Sequence, residues 1–191
     1  MPDERRLWVT RPIAYIPGMT NWRLAFDPMS VPELAHRYAY QDDGPIVEIG
    51  RRAREAGEYP YEDFLSVCKW KSQRTRSRCQ RNTPEEVAEA TRIALSANNE
   101  RLRIGALQCL QGVDLATASV LLHFAHRDPY PILDVRALWS WGFAKPPYYS
   151  FALWQRYVHE CRRLAKMLDV EMRVLDRALW QYSKENQGPL G

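Results

Sequence analysis

From Ser30 onward the chain repeats one pattern: a small polar residue, an apolar run with helical spacing, then a glycine or proline break. Ser30 with Glu33 reads as a capping box ahead of VPELAHRYAY. Thr83, Pro84 and Glu86 read as a second box, with proline at the first helical position. Asp43 precedes an amphipathic stretch carrying Ile46, Ile49 and Ala53 that stops near Gly57. Residues 61–71 place Phe64, Leu65 and Cys68 on one face. Residues 102–110 and 116–126 are apolar and meet at a turn on Gly112. Asp134 precedes a short helix, residues 150–168 form a long amphipathic one, and Asp169 is expected to cap a last helix through Trp180. No window alternates with the period of two that a half-buried strand requires. The expected fold is therefore all-α: a two-lobed helical bundle, with residues 31–191 as one helical domain. Residues 1–30 hold four prolines among Trp8, Tyr15, Trp22 and Phe26, and are expected to form an irregular apolar arm packed on the body.

A chain of 191 residues buries enough apolar surface to need no covalent staples. No run of about 18 apolar residues exists, which excludes a membrane span. The opening MPDERRLWVT has no apolar signal core. Cys68, Cys79, Cys109 and Cys161 are scattered without a CxxC pair, which disfavours a zinc or iron–sulfur framework. They read as reduced thiols in a cytoplasmic, monomeric protein. His36, His123, His126 and His159 show no metal-ligand spacing either.

Charge narrows the partner. The net charge is +4, and the 27 basic residues divide into 22 arginines and 5 lysines. Arginine is the better bidentate phosphate ligand, so the bias suits a nucleic-acid partner, although an arginine-favouring codon usage produces the same ratio. Residues 69–81, KWKSQRTRSRCQR, concentrate Lys69, Lys71, Arg74, Arg76, Arg78 and Arg81, and no acidic residue lies between Phe64 and Pro84. Such a field attracts a polyanion; a solvated surface loop is the alternative.

Residues 110–118 read LQGVDLATA. A tight turn between two helices exposes backbone N–H groups at a helix N-terminus, where they can hold a phosphate without reading sequence. The segment resembles a helix-hairpin-helix motif, Leu-Pro-Gly-Val-Gly-x-x-Thr-Ala, through Leu110, Gly112, Val113, Thr117 and Ala118. Gln111 replaces the proline. Asp114 replaces the second glycine and puts a carboxylate where the phosphate would sit. The block PILDVRALW, residues 131–139, follows at the spacing seen in the helix-hairpin-helix DNA glycosylase superfamily. That resemblance implies double-stranded DNA as partner, Asp134 as the catalytic carboxylate, and backbone contacts from Gly112, Val113, Asp114, Ala116 and Thr117. The family's lysine position falls on Ala116, which implies base removal without strand nicking. Gln73, in Ser72-Gln73-Arg74-Thr75, echoes the segment that fills the gap left by a flipped base. The backbone carbonyls of Gln108, Leu110 and Val113 are where the resemblance places a monovalent cation, and no other cofactor is implied.

The chemistry such a reaction needs is a base extruded from the stack and a carboxylate beside the oxocarbenium-like sugar. Asp134 can serve that purpose or simply cap the next helix, and the two roles are compatible. Arg136 is a phosphate ligand or a surface residue of the first helical turn. Trp70 and Trp139 are base-pocket or core aromatics. The reading is a monofunctional DNA glycosylase. Its alternatives are a non-catalytic DNA-binding module and a helical interaction protein that touches no nucleic acid.

Overall fold

The computed structural model describes residues 22–39, 42–143 and 148–188, which contain ten α-helices and no strand. Helix α7 (Leu115–Ala125) decides the architecture. Ten of its residues are buried, so it has no solvent face and other helices must surround it. Those helices are α2 (Gly44–Ala56), α3 (Tyr61–Lys71), α5 (Pro84–Ser96) and α6 (Glu100–Gln108). After α3 the chain makes a 3-10 turn (Gln73–Thr75) and the four-residue α4 (Arg76–Cys79). The second lobe is built on α10 (Met172–Asn186), against which α1 (Val31–His36), α8 (Val135–Ser140) and α9 (Phe151–Leu168) pack. The segment before α2 thus joins the C-terminal helices, and the first lobe is the chain between them.

Two close contacts fix the lobes. An ideal Cβ on Gly50 of α2 would lie 2.4 Å from Phe124 O, so α2 and α7 cross where only glycine fits. Beside it Arg54 donates to Phe124 O at 2.9 Å and Ala125 O at 3.1 Å, satisfying the open end of α7. Between the lobes, buried Asp43 accepts from Arg173 Nε at 2.7 Å, Arg173 Nη2 at 2.8 Å and Arg177 Nη2 at 2.7 Å. One carboxylate at the head of α2 therefore grips two arginines of α10.

That grip explains one departure from expectation. Asp43 is spent across the lobes and makes no cap bond; Asp42 accepts Gly44 N instead, at 3.0 Å. Ser30 likewise makes no side-chain cap, because Asp27 has already turned the chain by accepting Met29 N at 3.0 Å. Asp169 has φ 53 and ends α9 in the left-handed conformation rather than starting the last helix; Glu171 is the residue before α10, which runs past Trp180 to Asn186. The Thr83 box forms as expected: Glu86 N donates to Thr83 Oγ1 at 3.2 Å and Thr83 N to Glu86 Oε2 at 2.7 Å.

Residues 1–21 of the expected arm lie outside the described residues, and its end packs on the second lobe. Trp22 meets Phe143 edge-on at 4.9 Å, Ala25 N donates to Ser140 O at 2.9 Å, and Phe26 lies 4.6 Å from Tyr182. Among the described residues no helix is long and apolar enough to cross a membrane.

Candidate functional site

Helices α6 and α7 are joined by a tight turn. Val113 N donates to Leu110 O at 3.2 Å, and Gly112, third in the turn, has φ +82, which L side chains rarely adopt. A Cβ there would also lie 2.8 Å from Cys79 Sγ, so the turn sits directly on α4. Asn82 locks this docking. Its Oδ1 accepts Gln111 N at 2.7 Å, and its Nδ2 donates to Gln111 O at 3.0 Å and to Cys79 O at 2.8 Å. The basic segment and the hairpin are therefore one rigid unit. Asp114 caps α7 by accepting Thr117 N at 2.8 Å. Its exposed carboxylate stands at the helix N-terminus where the resemblance places a phosphate. The side chains of Val113, Ala116 and Thr117 are buried, which leaves only backbone for any contact.

The segment before Asp134 is extended and held by side chains from four helices. His123 Nδ1 lies 2.6 Å from Tyr130 O; since a carbonyl only accepts, the ring proton is on that nitrogen. Asp176 accepts Ile132 N at 3.1 Å, and Tyr157 donates to Ile132 O at 3.0 Å. Ser119 Oγ accepts Leu133 N at 2.8 Å, and Lys71 Nζ donates to Leu133 O at 3.0 Å. The same ammonium reaches Asp134 Oδ2 at 3.1 Å, while Asp134 Oδ1 accepts Arg136 N at 2.8 Å and caps α8. Five side chains thus fix the backbone that delivers one carboxylate, an arrangement suited to preorganised chemistry.

Asp134 opens onto a cleft of about 750 Å³ between the end of α3 and helices α8 and α10. Its aromatic members are Tyr38, Trp70 and Trp180. Lys69, Gln73 and Lys184 are exposed members, with Arg136 half-buried among them. Two carboxylates share it, Asp134 and the buried Asp176.

Their environments push them in opposite directions. Burial raises the Asp134 carboxyl, but Lys71 and the Arg136 N–H outweigh it and hold the group below the ordinary carboxylate range. Asp176 is pushed up to about 8 by burial, despite Arg173, the Ile132 N–H and Lys71, with Asp134 adding to the rise. Its neighbour His123, whose Nδ1 is 3.1 Å from Asp176 Oδ2, is pushed down to about 3 by burial and by Arg173, and is therefore neutral. Tyr149 is pushed up to about 12 by burial, with Asp134 and Asp114 adding to the rise.

Of the residues singled out in the sequence, Asp134, Arg136, Lys69, Lys71, Trp70 and Gln73 meet in the cleft. Trp70 serves both readings, since its ring also packs edge-on against Phe124 at 5.4 Å. Trp139 lies outside the cleft, 5.8 Å from Tyr182, because α8 turns that face toward the end of α10. Arg74 and Arg76 are exposed on the short elements after α3, outside the cleft and without an ion pair among the described residues. Of the three carbonyls assigned to a cation, that of Leu110 already accepts Val113 N. Sequence reasoning passed over Asp176 and Asn82, and placed Asp43 only at the start of a helix, without its two arginine partners. Asp176 had a signal: it shares the buried face of an amphipathic helix with Met172, Leu175 and Leu179, where an unpaired acid is costly.

Comparison with family models, curated proteins and solved structures finds no match.

Proposed function

We propose that the protein is a DNA glycosylase of the monofunctional type, which flips a modified base into the cleft and hydrolyses its N-glycosidic bond. The observation that carries this reading is Asp134: an ionised carboxylate, fixed by a helix cap and by Lys71, on the wall of a basic-rimmed, aromatic-lined cleft. Its volume lies in the range of small-molecule sites. A negative charge held beside the anomeric carbon stabilises an oxocarbenium-like transition state and can orient the attacking water. Lys69, Arg136 and Lys184 would hold the phosphates of the flipped nucleotide, and Arg74 to Arg81 the duplex beside it. Ala116 offers no amine, so the product is an intact abasic strand.

A second reading, a DNA-binding module without chemistry, draws on Asp114, whose carboxylate occupies the N-terminus of α7 and opposes a phosphate there. A base-release assay separates the two. Duplex and single-stranded oligonucleotides carrying deaminated, oxidised or ring-methylated bases are incubated with wild type and Asp134→Asn, then treated with alkali. Strand cleavage after alkali by wild type only is expected. Salt-sensitive DNA binding with no release from any substrate supports the second reading.

A further inference from the structure

Tyr38, Trp70 and Trp180 line the cleft, and a guanidinium stands over each ring. Arg173 lies 5.4 Å from the centre of the Tyr38 ring and 5.5 Å from that of Trp70. Arg136 lies 5.3 Å from that of Trp180. An aromatic partner stacks with its centre about 4.5–7 Å from a ring, so each guanidinium occupies the place a base would take.

The two arginines are held differently. Arg173 is pinned: its Nε donates to buried Asp43 at 2.7 Å and its Nη2 at 2.8 Å. Arg136 has no such tie. Its backbone N–H is bonded to Asp134, but its guanidinium makes no hydrogen bond or ion pair among the described residues and rests on the Trp180 ring. It stands in the first turn of α8, two residues beyond Asp134, and Trp180 stands one turn beyond Asp176 on α10. A cation–π contact is weaker than a bidentate guanidinium–phosphate pair, so a phosphate entering the cleft draws Arg136 off the ring, whereas Arg173 stays on the other two. Building on the glycosylase reading, we propose that Arg136 is a specificity gate. In the free protein it occupies the Trp180 face on which the flipped base stacks, and the phosphate beside that base removes it. The ligand that the cleft accepts is then a base carried with its phosphate; a nucleoside without phosphate must displace Arg136 unaided and is disfavoured.

Titrations followed by NMR test it. Deoxyadenosine and deoxyadenosine 3′,5′-bisphosphate are added to wild type and to Arg136→Ala, since every base presents a face for stacking. The Trp180 indole N–H, identified with Trp180→Phe, reports contact with the ring. Arg136→Ala should raise the affinity for deoxyadenosine by about 2–5-fold, the equivalent of one cation–π contact no longer displaced. The same variant should lower the affinity for the bisphosphate by about tenfold or more. A residue that only holds phosphate would lower the second and leave the first unchanged, and that result would overturn the proposal. In wild type, inorganic phosphate should strengthen deoxyadenosine binding by about 2–5-fold, because it holds Arg136 off the ring. This readout needs no variant. Phosphate that leaves deoxyadenosine binding unchanged, or a Trp180 signal unmoved by the bisphosphate, would also overturn the gate. The base-release assay separates the two readings. Release from an oligonucleotide with no gain for deoxyadenosine in Arg136→Ala would remove the gate and leave the glycosylase. Opposite shifts for the two ligands without release from any oligonucleotide would leave a gated nucleotide site and remove the glycosylase.

Discussion

Replacing Asn82 with alanine tests whether hairpin and basic segment form one unit. The side chain is buried and makes three hydrogen bonds, two to the backbone of Gln111 and one to Cys79 O. At about 1 kcal/mol each, the gross loss is about 3 kcal/mol. The Gln111 side of the contact is exposed, so water can re-satisfy part of it. The expected cost is about 2 kcal/mol, which for a chain of this length lowers the melting temperature by about 4–8 °C. Urea unfolding should show a lower midpoint with an unchanged slope. Asn82→Asp is the sharper comparison. It keeps an acceptor for Gln111 N but points negative charge at two carbonyls, so it should cost more than alanine. Asn82→Ala within about 0.5 kcal/mol of wild type, or Asn82→Asp more stable than Asn82→Ala, would refute the reasoning.

Lys71→Met removes the cation that offsets the burial of Asp134, so NMR titration should show the Asp134 carboxyl rising from its depressed value. The accompanying loss of stability should be about 2 kcal/mol, below that of a fully buried pair because the Asp134 side chain remains 28 % exposed. Gly50→Ala should destabilise by about 2–3 kcal/mol, because the new methyl group meets the Phe124 backbone. Gly105→Ala in α6, with open space around it, should gain about 0.5–1 kcal/mol, and urea midpoints compare the two. Stability should also depend on pH in two windows. Asp176 is raised in the fold, so its contribution is complete below the ordinary carboxylate value and is lost as pH climbs to about 8. His123 is lowered, so its contribution is complete above the ordinary imidazole value and is lost as pH falls toward about 3. Melting curves should show that Asp176→Asn flattens the loss between pH 5 and 8 and leaves the acid limb in place.

The all-α class was legible because it rests on local rules. Thr83-Pro84-Glu86 caps a helix wherever it occurs, and α7 announces its burial by lacking any charged residue. Gly112 was legible for the same reason: the turn needs φ above zero, and the sequence supplies glycine there. Asp134 and its cap bond to Arg136 N lie two residues apart, so spacing alone could place them.

What local rules could not decide was where side chains go once helices pack. Asp43 stands where a cap belongs, yet two arginines 130 and 134 residues away claim its carboxylate. Lys71 belonged to a run of six basic residues with no feature to distinguish it, and only the approach of α3 to residues 133 and 134 makes it the partner of Asp134. Trp139 shares a short helix with cleft residues, but the packing of α8 on α10 turns it away. By itself the sequence determined the all-α class and that Asp134 stands at the start of a helix, because hydrogen bonds of short reach govern both. The tertiary structure alone decided that this carboxylate faces a cleft with a second, oppositely perturbed one, because desolvation and long-range pairing depend on every element packed around the site.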